Sequence, residues 1–245
     1  MAVDTPAHVV IVGLNPLALE AGLYARFLGY QVSIFDSGTV CEAIRNRPDQ
    51  LIEGQSITSL GSKAIAAQGD SFDAQSITES ISTNRDWWEK YVKPLSETDL
   101  LIDSLFAHHA VASIELIDEQ LEGDEQLEGD EQSEGDELDR DEVCTTVFKI
   151  IVSGNDASVK TEPITADVVI DVQLDGFVNF DVLPSLGIDA SELLNDDSSL
   201  FTSVDDFYVL GDRKIRANYG HADGLSQIRD LFKIIGDRES LDLYS

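Results

Sequence analysis

The run His8-Val-Val-Ile-Val-Gly13, the segment Leu14-Asn-Pro-Leu-Ala-Leu-Glu-Ala-Gly-Leu-Tyr-Ala-Arg-Phe-Leu-Gly29 and the run Tyr30-Gln-Val-Ser-Ile-Phe-Asp36 decide how the whole chain is read. The first is short, apolar, rich in β-branched residues and stopped by a glycine, as a strand buried on both faces should be. A helix is predicted next. Asn15 is a good N-cap, Pro16 suits the first helical position because an N–H there has no intrahelical partner, and Leu17, Ala21, Tyr24, Ala25 and Leu28 recur at helical spacing until Gly29. Gln31 to Phe35 reads as a second strand that ends at Asp36. The unit is βαβ, which makes its two strands parallel neighbours.

In parallel folds ligands gather at the carboxyl ends of strands. Asp36 lies at such an end, about twenty residues after Gly13, where a dinucleotide-binding fold carries the carboxylate that accepts from the adenosine ribose. The phosphate loop G-x-G-x-x-G is reduced to Gly13-Leu14-Asn15-Pro16-Leu17-Ala18. Its first glycine is kept and Ala18 is tolerated third, but Asn15 puts a side chain where the second glycine lets a pyrophosphate approach the backbone. Two readings of the loop stand: a dinucleotide site weakened at Asn15, or a tight turn at Gly13 beside a solvated acid.

Near the other end, Phe207-Tyr-Val-Leu-Gly211-Asp212 is another buried-strand run closed by a glycine. Leu225, Ile228, Leu231, Phe232 and Ile235 place a helix behind it, from about Gly220 or Asp223 to Gly236. Its N-terminus carries about half a positive charge and suits an anionic ring or a phosphate.

Together these segments resemble the flavoprotein pyridine nucleotide-disulphide oxidoreductases and related FAD-dependent oxidoreductases. The stretch from Val9 to Asp36 resembles their opening, Ile164 to Asp171 the strand after their β-meander, and Asp206 to Asp212 their final strand with its Gly-Asp pair. The resemblance covers about residues 7–37 and 164–236. It implies an α/β, Rossmann-like FAD/NAD(P)-binding fold with a parallel sheet and a β-meander, one domain over residues 1–245. It implies FAD as cofactor, with Gly13, Asn15, Pro16, Leu17, Asp36, Gly211 and Asp212 at the site and Asp212 accepting from the ribityl hydroxyls. An FAD-dependent oxidoreductase of unassigned substrate is the expected function. Asn15, the shortened length and two further departures support a rival expectation, a degenerate, non-catalytic flavoprotein fold serving as a binding or scaffold protein. Asp171-Val172-Gln173 stands where the family has Ala-Thr-Gly, and none of the 17 glycines forms the Gly-x-Gly of a second, NAD(P)-binding fold.

The centre carries less. Trp87, Trp88, Tyr91, Val92 and Leu95 predict an amphipathic helix within Asn84–Leu101, whose tryptophans fit core better than cofactor stacking. Leu105 to Ile117 and Val143 to Val152 predict two strands joined as a hairpin. His108 and His109 are adjacent on a strand, face opposite ways, and so do not converge on a metal. His221 is a surface helix-start residue before it is a proton donor, and no G-x-S-x-G hydrolase elbow occurs. Cys41 and Cys144 are too far apart in sequence for a CxxC redox pair or a cysteine-built zinc site, and two free thiols in a reducing compartment are expected.

With 245 residues, 42% hydrophobic and 26% charged, the chain has the length and composition of one globular core. Its charge is lopsided: 16 Lys and Arg against 47 Asp and Glu, a formal net charge of -31. That field repels nucleic-acid backbones and anionic lipid surfaces. No apolar run suits a bilayer span or a signal-peptide core, so a cytoplasmic protein is expected. Much of the excess lies in 118–142, where DEQLEG occurs twice, then DEQSEG, then DELDRDE. Acids and glycines alternate there without the spacing of an EF-hand calcium loop. A like-charged block without aromatics buries too little apolar surface to offset its ordering entropy, so it reads as a solvated loop. Deleting Glu119 to Glu137 is expected to leave the fold intact, because loop closure costs only about 0.6 kcal/mol per doubling of length. A thermal melt checks this: a midpoint several degrees lower in the deletion variant would mean that the segment docks on the body.

Overall fold

The first apolar run forms β1 (His8–Val12) in the computed structural model, which describes residues 7–46, 59–68, 73–119, 145–154, 162–173, 183–188, 200–211, 221–238 and 240–244. Val9 and Ile11 point to one face and Val10 and Val12 to the other, and all four are buried. A strand covered on both faces belongs at the centre of a parallel sheet. Helix α1 (Pro16–Phe27) follows, with Asn15 as its N-cap. Gly29, at φ +94°, ends it as expected: the Gly29 N–H reaches the Arg26 carbonyl and the Tyr30 N–H the Ala25 carbonyl, a Schellman closure. β2 (Gln31–Asp36) then pairs with β1 in parallel, His8 opposite Gln31 and Val12 opposite Phe35.

Beyond β2 come α2 (Glu42–Arg45), α3 (Leu60–Gln68) and α4 (Ala74–Glu79). The tryptophan segment is a composite helix: α5 (Asn84–Trp87), a π-helical turn over Trp88–Val92, and α6 (Lys93–Ser96). It ends five residues before the Leu101 boundary expected from sequence, and Leu101 is instead a buried core residue after the helix. Tyr91, Val92 and Leu95 are buried, while Trp87 and Trp88 pack partly buried against the same core.

The run from Leu105 to Ile117 is two strands, not one. β3 (Leu105–Ala107) pairs in parallel with β2, and β4 (His109–Glu119) turns away into a separate antiparallel sheet. The break is at His108, whose φ of +61° reverses the chain and whose N–H is held by the Gly38 carbonyl at 2.9 Å. β4 pairs with β5 (Thr145–Gly154), Glu119 opposite Thr145, so the expected hairpin is present. The backbones of Asp118 and Glu119 belong to β4 rather than to the acidic loop, and residues 120–142 of that block, like Cys144, lie outside the described residues.

Ile164 to Asp171 is likewise divided. β6 (Ile164–Ala166) completes the antiparallel sheet beside β5, and β7 (Val168–Gln173) joins the parallel sheet beside β1. The joint is Asp167, whose carboxylate accepts from the His8 N–H at 2.7 Å and ties the crossover to the start of β1. β8 (Phe207–Gly211) pairs in parallel with β7, and α7 (His221–Ile235) follows.

The parallel sheet runs β3-β2-β1-β7-β8, and the antiparallel sheet β4-β5-β6. One face of the parallel sheet is covered by α1, α3, α6 and α7, with Tyr24 stacked on Phe232 at 5.0 Å. The other face packs Val10, Val12, Phe35, Val169, Phe207 and Val209 against Ile114, Phe148 and Ile150 of the antiparallel sheet. The chain is therefore an α/β, Rossmann-like fold of helices, parallel sheet and antiparallel sheet, with the order of strands reversing between β1 and β7.

Candidate functional site

That reversal sets the carboxyl ends of β1 and β7 side by side, the place where open α/β sheets bind ligands. Gly13 lies there. Its φ is +103°, its N–H donates to the Phe35 carbonyl at 2.8 Å, and a Cβ there would lie 2.7 Å from the Val172 carbonyl oxygen. Both the conformation and the close approach demand glycine.

Asp36, at the end of β2, is half-buried and turned back onto this loop. Oδ2 accepts from the Leu14 N–H at 2.8 Å and Oδ1 from the Gly38 N–H at 2.6 Å. An ionised carboxylate offers about four acceptor positions, so these two bonds leave roughly half its capacity for other donors.

Asn15 does two things at once. Its Oδ1 accepts from the Ala18 N–H at 3.0 Å, capping α1, and its Nδ2 donates to the Val172 carbonyl at 3.1 Å. The side chain thereby crosses from the α1 terminus to β7. Pro16 has no N–H and Ala18 spends its own on Asn15, so of these first-turn amides only that of Leu17 remains for an incoming anion. The Leu17 side chain is buried in the core. Cys41 closes the loop from outside, its N–H bonded to the Leu14 carbonyl at 2.8 Å. Burial first, and the Asp36 charge second, push its thiol far above the ordinary range, which leaves it unreactive at neutral pH.

Gly13, Asn15, Pro16, Leu17 and Asp36 are thus gathered around one loop, as their spacing predicts. Gly211 is not with them: it ends β8, with β7 between it and β1. The Gln227 side chain of α7 holds both its peptide groups, accepting from its N–H at 2.9 Å and donating to its carbonyl at 3.4 Å. Asp212 and the side chain of His221 lie outside the described residues. His109 spends Nδ1 on the Ala107 carbonyl at 2.8 Å, and among the described residues no group of three or more metal-ligating side chains occurs. No helix among them is long and apolar enough to cross a membrane.

Sequence reasoning missed one acid altogether. Glu20 is wholly buried inside α1, whose residues from Pro16 to Ala25 are all buried. The available signal was its setting, with Pro16, Leu19, Ala21 and Tyr24 at the neighbouring positions along the chain and one turn either way.

No known protein family and no curated protein matches the sequence. Among solved structures the chain is similar to the bacillithiol disulfide reductase Bdr (YpdA) of Staphylococcus aureus, at 15% identity and a TM-score of 0.40 over 69% of this chain and 38% of that one. It is similar to OTEMO in complex with FAD and NADP, at 12% identity and a TM-score of 0.40 over 69% of this chain and 26% of the other. It is also similar to S-allyl-L-cysteine S-oxygenase of Allium sativum, at 12% identity and a TM-score of 0.38 over 68% and 36% of the two chains. The chain spans less than two-fifths of the length of each.

The loop geometry predicts opposite sensitivities at two neighbouring positions. Gly13→Ala should destabilise the fold by about 2 kcal/mol or more, from left-handed strain plus the clash with the Val172 carbonyl. Asn15→Gly, which keeps an acceptable N-cap residue, should cost no more than about 1 kcal/mol. Urea unfolding of the two variants checks the order, and equal losses would contradict it.

Proposed function

We propose that this chain is a dinucleotide-binding domain of the flavoprotein type that takes FAD at the carboxyl ends of β1 and β7, with the adenosine ribose on Asp36. The observation that carries this reading is the pairing of Gly13 and Asp36 at the carboxyl ends of adjacent parallel strands, next to the reversal of strand order. Asp36 retains acceptor capacity for ribose hydroxyls, so the residues fit that end of the cofactor. They do not fit the pyrophosphate as they stand, because Asn15 bridges from Ala18 to Val172 across its position. Binding therefore requires Asn15 to release the Val172 carbonyl, and affinity is correspondingly low. When bound, FAD would supply redox chemistry. An oxidoreductase role follows from the resemblance of the opening and final strands to FAD-dependent oxidoreductases.

A second reading is favoured by that same Asn15 bridge: a non-catalytic fold that keeps the architecture and serves as a binding or scaffold protein. Flavin fluorescence during titration of FAD separates the two. Under the first reading the wild type binds measurably, and Asp36→Ala and Asp212→Ala each weaken binding about ten- to a hundredfold, the cost of losing hydrogen bonds to a charged acceptor. Asn15→Gly tightens it. Asp36→Ala also frees the Leu14 and Gly38 amides, so circular dichroism must first show that it is folded. No detectable binding by wild type and Asn15→Gly alike would discard the FAD reading in favour of the second.

A further inference from the structure

The buried Glu20 sits within α1, away from the Gly13 loop, in a cluster built from three parts of the chain. Its Oε1 accepts from the Gly61 N–H at 2.9 Å and from the Tyr91 hydroxyl. Ser59 Oγ lies 2.8 Å from that hydroxyl, and Ser62 fixes Ser59 through its backbone N–H and carbonyl. The packing is tight: a Cβ on Gly61 would fall 2.5 Å from both Glu20 Oε1 and the Tyr91 oxygen. Tyr91 belongs to the π-helical turn, an irregularity frequent at functional positions. Glu20 Oε2, by contrast, is buried with no hydrogen-bond partner among the described residues. The groups acting on the acid are hydroxyls and backbone amides of Ser59, Leu60, Gly61 and Tyr91, none of them a cation. A carboxylate kept from water with one oxygen unpartnered, and with no cation beside it among the described residues, is far costlier than the neutral acid. Burial accordingly pushes the Glu20 carboxyl above its ordinary range.

Residues Leu241–Tyr244 cover this cluster. The Leu243 N–H donates to the Tyr24 hydroxyl at 3.2 Å, Lys63 Nζ donates to the Leu243 carbonyl at 3.3 Å, and the Tyr244 ring meets Tyr24 edge-on at 5.3 Å. Tyr24 follows Glu20 by one turn of α1, so the strap lies on the face that carries the acid. The Tyr244 hydroxyl is also buried with no partner among the described residues.

We propose that Leu241–Tyr244 is a strap that stays docked on α1 only while Glu20 is uncharged, and lifts to admit water when Glu20 ionises. Ionisation strengthens the hydrogen bonds that Gly61 and Tyr91 already donate to the acid, so α3 and the π-helical turn hold. Tyr244 donates none of those bonds, and the strap is held through Tyr24 and Lys63, at 3.2 and 3.3 Å, so the strap is the element that yields. The other charged groups around the contact are Lys63 on α3, Asp242 on the strap, and Arg229 and Asp230 on α7, which act on Tyr24. The phenols of Tyr24, Tyr91 and Tyr244 are all pushed up by burial and stay protonated through neutral pH. Because the folded carboxyl titrates above its unfolded value, docking is complete below the ordinary carboxyl range and is lost as pH rises through the folded value.

Hydrogen exchange of the Leu243 amide in the full chain tests this between about pH 5 and pH 8, wild type and Glu20→Gln being compared at each pH so that the intrinsic rate cancels. Glutamine keeps the acceptor for Gly61 and Tyr91 and cannot ionise. The two proteins should exchange alike at the acid end, with the wild type about tenfold or more faster at the alkaline end. Coincident rates throughout would overturn the proposal. If Glu20→Gln does not fold, Tyr244→Ala decides: with the strap's anchor removed, Glu20 is hydrated and the pH dependence of unfolding free energy over this range should flatten. PH dependence identical to wild type would overturn the proposal.

Discussion

The backbone of Gly13 passes so close to the Val172 carbonyl that no side chain fits between them, and much of the molecule is arranged around that contact. It lets β1 and β7 end side by side, which fixes where the strand order reverses. Because the turn at Gly13 is left-handed, α1 starts directly over the ends of these strands, and Leu14 presents its N–H to Asp36. The loop that joins β1 to α1 is therefore held by four partners: the Phe35 carbonyl, the Asp36 carboxylate, the Cys41 N–H and the Val172 carbonyl. Such bonding gives a preorganised loop, and it also spends on the protein itself several of the groups that a phosphate would use.

The central strands were legible because burial on both faces leaves a continuous apolar run, here rich in β-branched residues and too short for a helix. Gly13 and Asp36 were legible for the same reason, being the residues at which such runs stop. The cap formed by Asn15 is local and could be read from Asn-Pro; its bond to Val172 joins residues far apart in sequence and could not. The breaks at His108 and Asp167 were hidden because each falls inside an unbroken strand-like run. What divides the run is tertiary: β2 offers an edge to Leu105–Ala107 and β5 to the residues after them, while the His8 N–H fixes Asp167. Glu20 was hidden by the rule that an acid in a helix faces water, which fails when α1 is enclosed on every side.

These two single-residue breaks explain how the layers hold together. The chain leaves the parallel sheet at His108 and returns at Asp167, and each joint is bonded across to the other part of the sheet, to Gly38 and to His8. The antiparallel sheet is thus no appendage on a linker. Its inner face supplies Ile114, Phe148 and Ile150 to the core beneath Val10 and Val12, so β1 has neighbours on both sides.

The π-helical turn at Trp88–Val92 has a consequence of helical phase. A π-helical turn amounts to one extra residue accommodated within an α-helix, and each residue of an α-helix advances the side chains by about 100°. Excising a single residue from this turn would allow regular α-helix from Asn84 to Ser96 with its two halves close to their present phase, because the wide turn already absorbs the extra residue. What such an excision would displace is the turn itself, and with it Tyr91, whose hydroxyl reaches Glu20 and Ser59 from within it. The irregularity therefore sets one side chain, that of Tyr91, against Glu20 of α1 and Gly61 of α3, while the helix on either side keeps its course.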